Sequence, residues 1–101
     1  MEVLLVCNAG MSTGILQMKL EDEAKKRDKQ MNILAVPMSE LDEHLERVDA
    51  ILLGPQIRFA QDDIKKLVSD KIPVIVISAQ DFGLMNANKV MDILFEELKI
   101  N

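Results

Sequence analysis

The chain contains a single cysteine, Cys7, which stands between a short apolar run and a loop of small and hydroxyl residues. The loop consists of Asn8, Ala9, Gly10, Met11, Ser12, Thr13 and Gly14. It leads into an amphipathic stretch, and the unpaired amides and dipole of a helix N-terminus attract negative charge. Thiols in such places ionise more readily and become nucleophiles, and the same amides, with two hydroxyls, would bind a phosphoryl group on the sulfur. The sequence therefore predicts a nucleophilic Cys7 inside an anion-binding loop at residues 8–14.

Cys7 and Ser12 also have plainer interpretations. Free cysteine is among the most buried residue types, so Cys7 is alternatively an inert core thiol. Ser12 is alternatively the N-cap of the following helix, a role that is compatible with anion binding. The position of Cys7 at the end of an apolar run, before glycine and hydroxyl residues, favours the nucleophile over the core thiol.

Four short apolar runs are predicted to form the strands that position this loop. They are Val3–Val6, Met31–Val36, Ala50–Leu53 and Val74–Ile77. Runs that are continuously apolar, rather than alternating, are typical of parallel strands that helices cover on both faces. The first run ends directly before Cys7, which places the thiol at the end of a strand.

Helices are predicted between and after these strands. The predicted ranges are about 12–29, a short helix that a capping-box-like segment opens at 39–42, about 56–69, and about 87–99. Leu16, Leu20 and Ala24 recur at helical spacing in the first helix, above a charged outer face. Asn86 is the predicted cap of the last helix.

Strands that alternate with helices predict an α/β fold in which a four-stranded parallel sheet of order 2-1-3-4 carries helices on both faces, as a three-layer α/β/α arrangement. The length of 101 residues fits one domain, over residues 1–101. Such sheets bind ligands outside the carboxyl ends of the strands, at the point where the strand order reverses. That point is the end of the first strand, where Cys7 stands.

Composition excludes several classes of function. The formal charge is −5, without a basic cluster, which argues against a nucleic-acid partner. The chain has no Trp or Tyr to stack on a flavin and no glycine pattern of dinucleotide-binding loops. One histidine and one cysteine do not make a metal site, and the longest apolar runs are far shorter than the roughly 20 residues of a membrane span. We therefore expect no metal, no cofactor and a cytoplasmic location.

Three segments of the chain resemble one protein family. The run from Cys7 to Thr13 is similar to the active-site loop of the lactose/cellobiose-type IIB components of the bacterial phosphoenolpyruvate-dependent sugar phosphotransferase system. The segments 54–59, Gly-Pro-Gln-Ile-Arg-Phe, and 81–86, Asp-Phe-Gly-Leu-Met-Asn, are similar to the family's segments after the third strand and before the last helix. The resemblance covers essentially the whole chain.

The resemblance implies a phosphotransferase that acts as a cysteine phosphocarrier. In that family a IIA protein phosphorylated on histidine donates its phosphoryl group to the IIB cysteine, and the IIC membrane permease then uses it to phosphorylate the incoming sugar. Carried over to this chain, Cys7 is the carrier, residues 8–14 form the phosphate cradle, and a monomer docks transiently with its IIA and IIC partners. Four further residues are candidate partner contacts or supports of the site: Gln56, Arg58, Asp81 and Phe82.

Two positions depart from the family's pattern. Gly14 stands where serine is usual, which removes one hydroxyl donor, and Phe82 stands where tyrosine is frequent. A role that depends on either hydroxyl does not transfer to this chain.

The alternative function is that of a hydrolase similar to the low-molecular-weight protein tyrosine phosphatases, which also place a cysteine loop after the first strand. Those enzymes carry Cys-x5-Arg, and the arginine grips the phosphate with two hydrogen bonds. The sixth residue after Cys7 is Thr13, not arginine. Asp81 lies near the place of the phosphatases' general acid and is otherwise a turn-forming aspartate. The missing arginine predicts slow hydrolysis, which favours the carrier.

Overall fold

The four predicted strands form one parallel sheet. The computed structural model describes residues 1–8 and 11–99, residues 11 and 12 by their backbone alone. The strands are β1 (Glu2–Cys7), β2 (Asn32–Pro37), β3 (Ala50–Leu53) and β4 (Val74–Val76). Their order is β2-β1-β3-β4, and every neighbouring pair is parallel, which confirms the predicted topology.

Helices cover both faces of the sheet. The α-helices are α1 (Met11–Lys26), α2 (Gln61–Leu67), α3 (Ala79–Gly83) and α4 (Ala87–Leu98), and 3-10 helices span Met38–His44 and Pro55–Ala60. Helices α1 and α4 share one core cluster with one face of the sheet, and the 3-10 helices and α2 share a second cluster with the other face. The three-layer α/β/α arrangement is therefore confirmed.

The core forms because successive residues of β1 point to opposite faces of the sheet. Leu5 packs towards α1 and α4, whereas Leu4 and Val6 pack towards the other layer. Each such side chain contributes roughly 1.5–3 kcal/mol when it is fully buried. Burial on both faces explains why β1 is continuously apolar, and it fixes the strand that ends in Cys7.

Helix α1 is tied to the sheet and to α4. Near its start, the Gln17 side-chain oxygen accepts a hydrogen bond of 3.0 Å from the Ala35 amide on the edge strand β2. Directly after its end, Arg27 forms ion pairs of 2.9 Å with Glu23 of α1 and with Asp92 of α4. Leu16, Leu20 and Ala24 are buried, as the helical spacing predicted. The helix that follows the Cys7 loop therefore has a fixed position.

Two helix boundaries differ from the predictions because of backbone geometry. The first helix ends at Lys26 rather than near residue 29, since Asp28 adopts a left-handed φ of 58°. The short helix begins at Met38, after Pro37, and no side chain caps it. The predicted capping box at 39–42 is therefore wrong.

Three further details after β3 and β4 were not predicted. The helix expected at 56–69 is instead a 3-10 helix over Pro55–Ala60, which is kinked at Ile57 where φ is −118°, followed by α2. The fourth strand ends at Val76, one residue early. Helix α3 was not predicted, and it begins where the Ser78 hydroxyl accepts a hydrogen bond of 3.0 Å from the Asp81 amide. The predicted cap of α4 is confirmed, since the Asn86 side chain accepts from the Lys89 amide.

Candidate active site

Cys7 is the last residue of β1 and lies at the carboxyl edge of the sheet. Its side chain is a free thiol that is only 6% exposed. Pro37 of β2 lies opposite it on one side. On the other side, the Gly54 amide donates a 2.9 Å hydrogen bond to the carbonyl oxygen of Val6. The thiol therefore stands between the ends of two strands, at the place where the strand order reverses.

Gly54 forms the wall of the site on the β3 side. A methyl group added to it would lie 3.2 Å from Cys7 Cβ, 2.8 Å from Gln56 Oε1 and 3.6 Å from Phe82 Cε2. Its φ of −64° is open to any residue, so this glycine is needed for space rather than for backbone freedom. Cys7, Gln56 and Phe82, which belong to three different segments, thus all lie close to Gly54.

Gln56 and Phe82 were predicted as candidate site residues, and the structure brings both to the Cys7 side of Gly54. Gln56 is exposed, and it lies between Pro55 and the fully buried Ile57. Phe82 lies on α3 and packs partly against the core beneath the sheet edge. Its Cε2 atom lies 3.6 Å from the position that a methyl group on Gly54 would take.

Arg58 and Asp81 do not share that contact with Gly54. Arg58 is exposed on the 3-10 helix after β3. The Asp81 carboxylate accepts a 3.4 Å hydrogen bond from the Asn86 side-chain amide, and its main-chain oxygen accepts 2.9 Å from the Asn86 backbone amide. Asp81 therefore joins α3 to the start of α4, which matches its interpretation as a turn-forming residue.

The predicted phosphate-binding loop is described in part. Asn8 and Gly14 are exposed, and Thr13 is buried at 7% exposure on the first turn of α1. The predicted contacts of Ala9 and Gly10, and of the side chains of Met11 and Ser12, lie outside the described residues. Helix α1 begins four residues after Cys7, so its N-terminus and the thiol are joined by a short connection.

The described residues, 1–8 and 11–99, contain no group of three His, Cys, Asp or Glu side chains that could hold a metal ion. Within the same ranges no helix is long and apolar enough to cross a bilayer. The described arrangement places a buried cysteine thiol, a group that becomes a nucleophile when it ionises, beside the uncharged residues Gly54, Gln56 and Phe82.

Sequence reasoning did not select Gly54 as a site residue. The available signal was its position directly after the apolar run of β3. The register that pairs Val6 with Leu53 places the following residues, Cys7 and Gly54, side by side. A glycine at the end of a strand next to the strand that carries the nucleophile is therefore the pattern that would have identified it.

Comparisons with known proteins agree with this geometry. Residues 2–93 match the family described as "PTS system, Lactose/Cellobiose specific IIB subunit". The chain is 35% identical over 95 residues to the galactose-specific EIIB component of Lactococcus lactis subsp. cremoris and to the cellobiose-specific EIIB component of Lactococcus lactis subsp. lactis, covering 88% of both chains in each case. The solution structure of the cellobiose-specific phosphotransferase IIB component from Borrelia burgdorferi superposes with a TM-score of 0.76 at 36% identity, over 98% of this chain and 92% of that one.

Proposed function

Because the chain belongs to the lactose/cellobiose-specific IIB family of the sugar phosphotransferase system, we propose that it carries a phosphoryl group on Cys7 from a IIA protein to the sugar. IIB components are phosphotransferases of sugar transport that work with IIA and IIC partners. The proposal adds the identity of the carrier atom and the direction of the two transfers.

The proposed reaction consists of two in-line displacements at phosphorus. In the first, the Cys7 sulfur attacks the phosphorus of a phosphohistidine on IIA, an S–P bond forms and the N–P bond breaks. The electron pair of that bond stays on the imidazole nitrogen, which takes up the proton that the thiol gives up. In the second, a sugar hydroxyl oxygen attacks the same phosphorus, the S–P bond breaks, the thiolate leaves and the hydroxyl proton is released.

The observation that carries the proposal is the place of Cys7 at the carboxyl end of β1, four residues before the N-terminus of a long helix. Amides at such a terminus stabilise a bound anion. The sequence around this position, from Cys7 to Thr13, is similar to the family's active-site loop. Residues 8–14 are accordingly the proposed phosphate cradle.

The phosphatase alternative receives less support. Thr13, which stands where phosphatases carry arginine, is buried and brings no guanidinium to the site. The Asp81 carboxylate is engaged by Asn86, and a general acid must reach the leaving group. A cysteine that binds phosphate without either group transfers it to a partner and loses it slowly to water.

Exposed apolar side chains on the elements that follow the strands support docking of partner proteins. Phe59 is 78% exposed, Leu84 69%, Met18 64% and Ile15 50%. Large apolar side chains that remain in water are typical of protein-binding surfaces. Because α1 and the 3-10 helix that carries Phe59 cover opposite faces of the sheet, a monomer would have apolar side chains on both layers for transient docking with IIA and with the cytoplasmic side of IIC.

In this proposal the IIC membrane partner, rather than this chain, selects the transported sugar. Relatives named for galactose and for cellobiose are equally similar to this chain, at 35% identity each. The carrier needs to bind only the phosphoryl group, so we infer that the sugar, which we expect to be a disaccharide such as cellobiose, chitobiose or lactose, is selected by IIC.

Intact-mass measurement tests the proposal. The chain is incubated with phosphoenolpyruvate, the two general phosphotransfer proteins and a IIA protein of the family. We expect a gain of one phosphoryl group in the unchanged chain and none in Cys7→Ser, with circular dichroism showing that the variant is folded. Phosphorylation of Cys7→Ser would contradict the proposal, and turnover of an aryl phosphate by the unchanged chain without a stable adduct would favour the phosphatase.

A further inference from the structure

We propose that the side-chain amide of Gln56 forms a hydrogen bond with the phosphoryl group carried on Cys7. This inference rests on the proposed function and adds a phosphoryl-contacting residue outside the loop 8–14. The residue lies on the segment after β3, so Gln56 would hold the phosphoryl group from the β3 side, in addition to the N-terminus of α1.

Gln56 and Cys7 approach each other closely across Gly54. One point, the position that a methyl group on Gly54 would take, is 2.8 Å from Gln56 Oε1 and 3.2 Å from Cys7 Cβ. The amide and the base of the nucleophilic side chain therefore lie side by side, in close contact with Gly54. Phosphorus would be two bonds beyond Cys7 Cβ, which brings the phosphoryl oxygens within reach of an amide at this position.

The backbone around Gln56 is fixed, while its side-chain amide is available for a hydrogen bond. The Ile57 amide donates a 3.1 Å hydrogen bond to the Gly54 carbonyl, and the Ile57 side chain is 1% exposed. Across residues 1–8 and 11–99, no hydrogen bond engages the Gln56 side chain. A glutamine amide has two N–H donors and can present them by rotation about its last bond.

The Gln56 amide is uncharged, whereas the phosphoryl group is an anion. A hydrogen bond to a charged phosphoryl group is stronger than one between neutral groups, but a neutral amide adds no cation to the site. The amide therefore orients the phosphoryl group without the strong electrostatic grip of an arginine. A donor of this kind suits a group that must be accepted and then passed on.

Two substitutions at position 56 separate the hydrogen bond from the charge. Gln56→Met keeps the length of the side chain and removes the donor, and Gln56→Glu replaces the donor by an anion that repels the phosphoryl group. Gln80→Glu is the matched control, because Gln80 is exposed on α3 and the substitution adds the same charge near the same edge of the sheet. Circular dichroism and urea unfolding verify that all three variants fold.

Two readouts are measured. The first is the rate at which IIA phosphorylates Cys7, by intact mass. The second needs no partner: inorganic phosphate is added as a competitor while iodoacetamide alkylates Cys7, and the protection that phosphate gives is recorded. We expect phosphorylation to be about tenfold slower in Gln56→Met and slower still in Gln56→Glu, since one charge-assisted hydrogen bond is lost. Protection by phosphate should weaken in the same order, and Gln80→Glu should match the unchanged chain.

The outcomes distinguish the two proposals. If the unchanged chain gains a phosphoryl group on Cys7 and both Gln56 variants match Gln80→Glu within twofold in both readouts, the role of Gln56 is refuted and the carrier function stands. If only the partner-dependent rate falls, Gln56 contacts IIA rather than phosphate, and the inference is again wrong. If the unchanged chain gains no phosphoryl group on Cys7, both proposals fail.

Discussion

Gly54→Ala perturbs the proposed site without changing Cys7, because it forces a single methyl group against Cys7 Cβ at 3.2 Å and Gln56 Oε1 at 2.8 Å. The backbone angles of Gly54, −64° and 151°, are accessible to alanine. The substitution therefore gains about 0.4–1 kcal/mol by restricting the unfolded chain. Any loss of function in this variant must then come from contacts of the methyl group rather than from backbone strain.

The three contacts of that methyl group differ in cost. Gln56 Oε1 at 2.8 Å is the end of an exposed side chain and can move away, whereas Cys7 Cβ at 3.2 Å belongs to a buried strand and must shift by a few tenths of an ångström. Phe82 Cε2 at 3.6 Å is an ordinary contact. Overpacking costs about 1–3 kcal/mol, and the restriction of the unfolded chain offsets about 0.4–1 kcal/mol of it, so the net loss of stability should be at most about 2.6 kcal/mol.

Transfer should be affected as well as stability. The methyl group would displace the Gln56 amide and press on Cys7 Cβ, which carries the proposed phosphoryl acceptor. Loss of one charge-assisted hydrogen bond is worth about 1.5–3 kcal/mol, so Cys7 phosphorylation by IIA should slow by at least about tenfold. Quenched time courses followed by intact mass give the rate, and urea unfolding gives the stability.

Gly83→Ala is the matched control, since a methyl group there meets nothing within 4 Å. It makes the same chemical change on α3, away from the thiol. If Gly54→Ala and Gly83→Ala are phosphorylated at the same rate while both are folded, the close contacts of Gly54 with Cys7 and Gln56 have no function in transfer. That result would refute the prediction.

Three further substitutions test the fold and the docking surface. Arg27→Met removes two ion pairs of 2.9 Å and a contact of 5.2 Å with the Phe95 ring; we expect a loss of about 1 kcal/mol in urea unfolding, and an unchanged midpoint would contradict it. Gln17→Leu removes the acceptor of the Ala35 amide, and we expect it to lower the free energy of unfolding by about 1 kcal/mol. The unpaired amide should also promote association through the edge of β2, which light scattering measures. Unchanged stability and scattering would show that the acceptor is dispensable. Phe59→Asp should leave stability within about 0.5 kcal/mol but slow phosphorylation by IIA, and an unchanged rate would place docking elsewhere.

The topology of the fold could be predicted because the pattern of the sequence and the pattern of burial agree. The run Val3–Val6 is apolar at every position since β1 is central and covered on both faces. The spacing of Leu16, Leu20 and Ala24 matches one buried face of α1. The position of Cys7 at the sheet edge followed from the order of the strands.

Local helix geometry could not be predicted from the same signals. Helix α3 has five residues and depends on a hydrogen bond between Ser78 and Asp81, which has no periodic apolar signature. The interruption at Ile57 is a change in one φ angle inside an otherwise regular apolar stripe. Such features arise from single hydrogen bonds and single dihedral angles, which hydrophobic patterns do not record.

The meeting of Gly54, Gln56 and Phe82 beside Cys7 depends on tertiary structure. The resemblance to the IIB family selected Gln56 and Phe82 as candidates. Both approach Cys7 closely because Gly54, which lies between them, has no side chain. The position of Gly54 beside Cys7 follows only once the register of β1 and β3 is known.

The surroundings of Cys7 bear on why a carrier and a hydrolase with similar loops would differ in what happens to the phosphoryl group. Hydrolysis requires stabilisation of the developing charge and a group that handles the proton of water. Here the wall of the site on the β3 side is built from a glycine, a neutral amide and an aromatic ring, and the Asp81 carboxylate is held by Asn86. The charge that in-line transfer needs would then have to come from the partner, so that the S–P bond would break readily only when a partner is docked. If Cys7 is the carrier, a wall without charged groups would couple release of the phosphoryl group to binding of the acceptor. The uncharged residues Gly54, Gln56 and Phe82 would then contribute to function alongside the nucleophile.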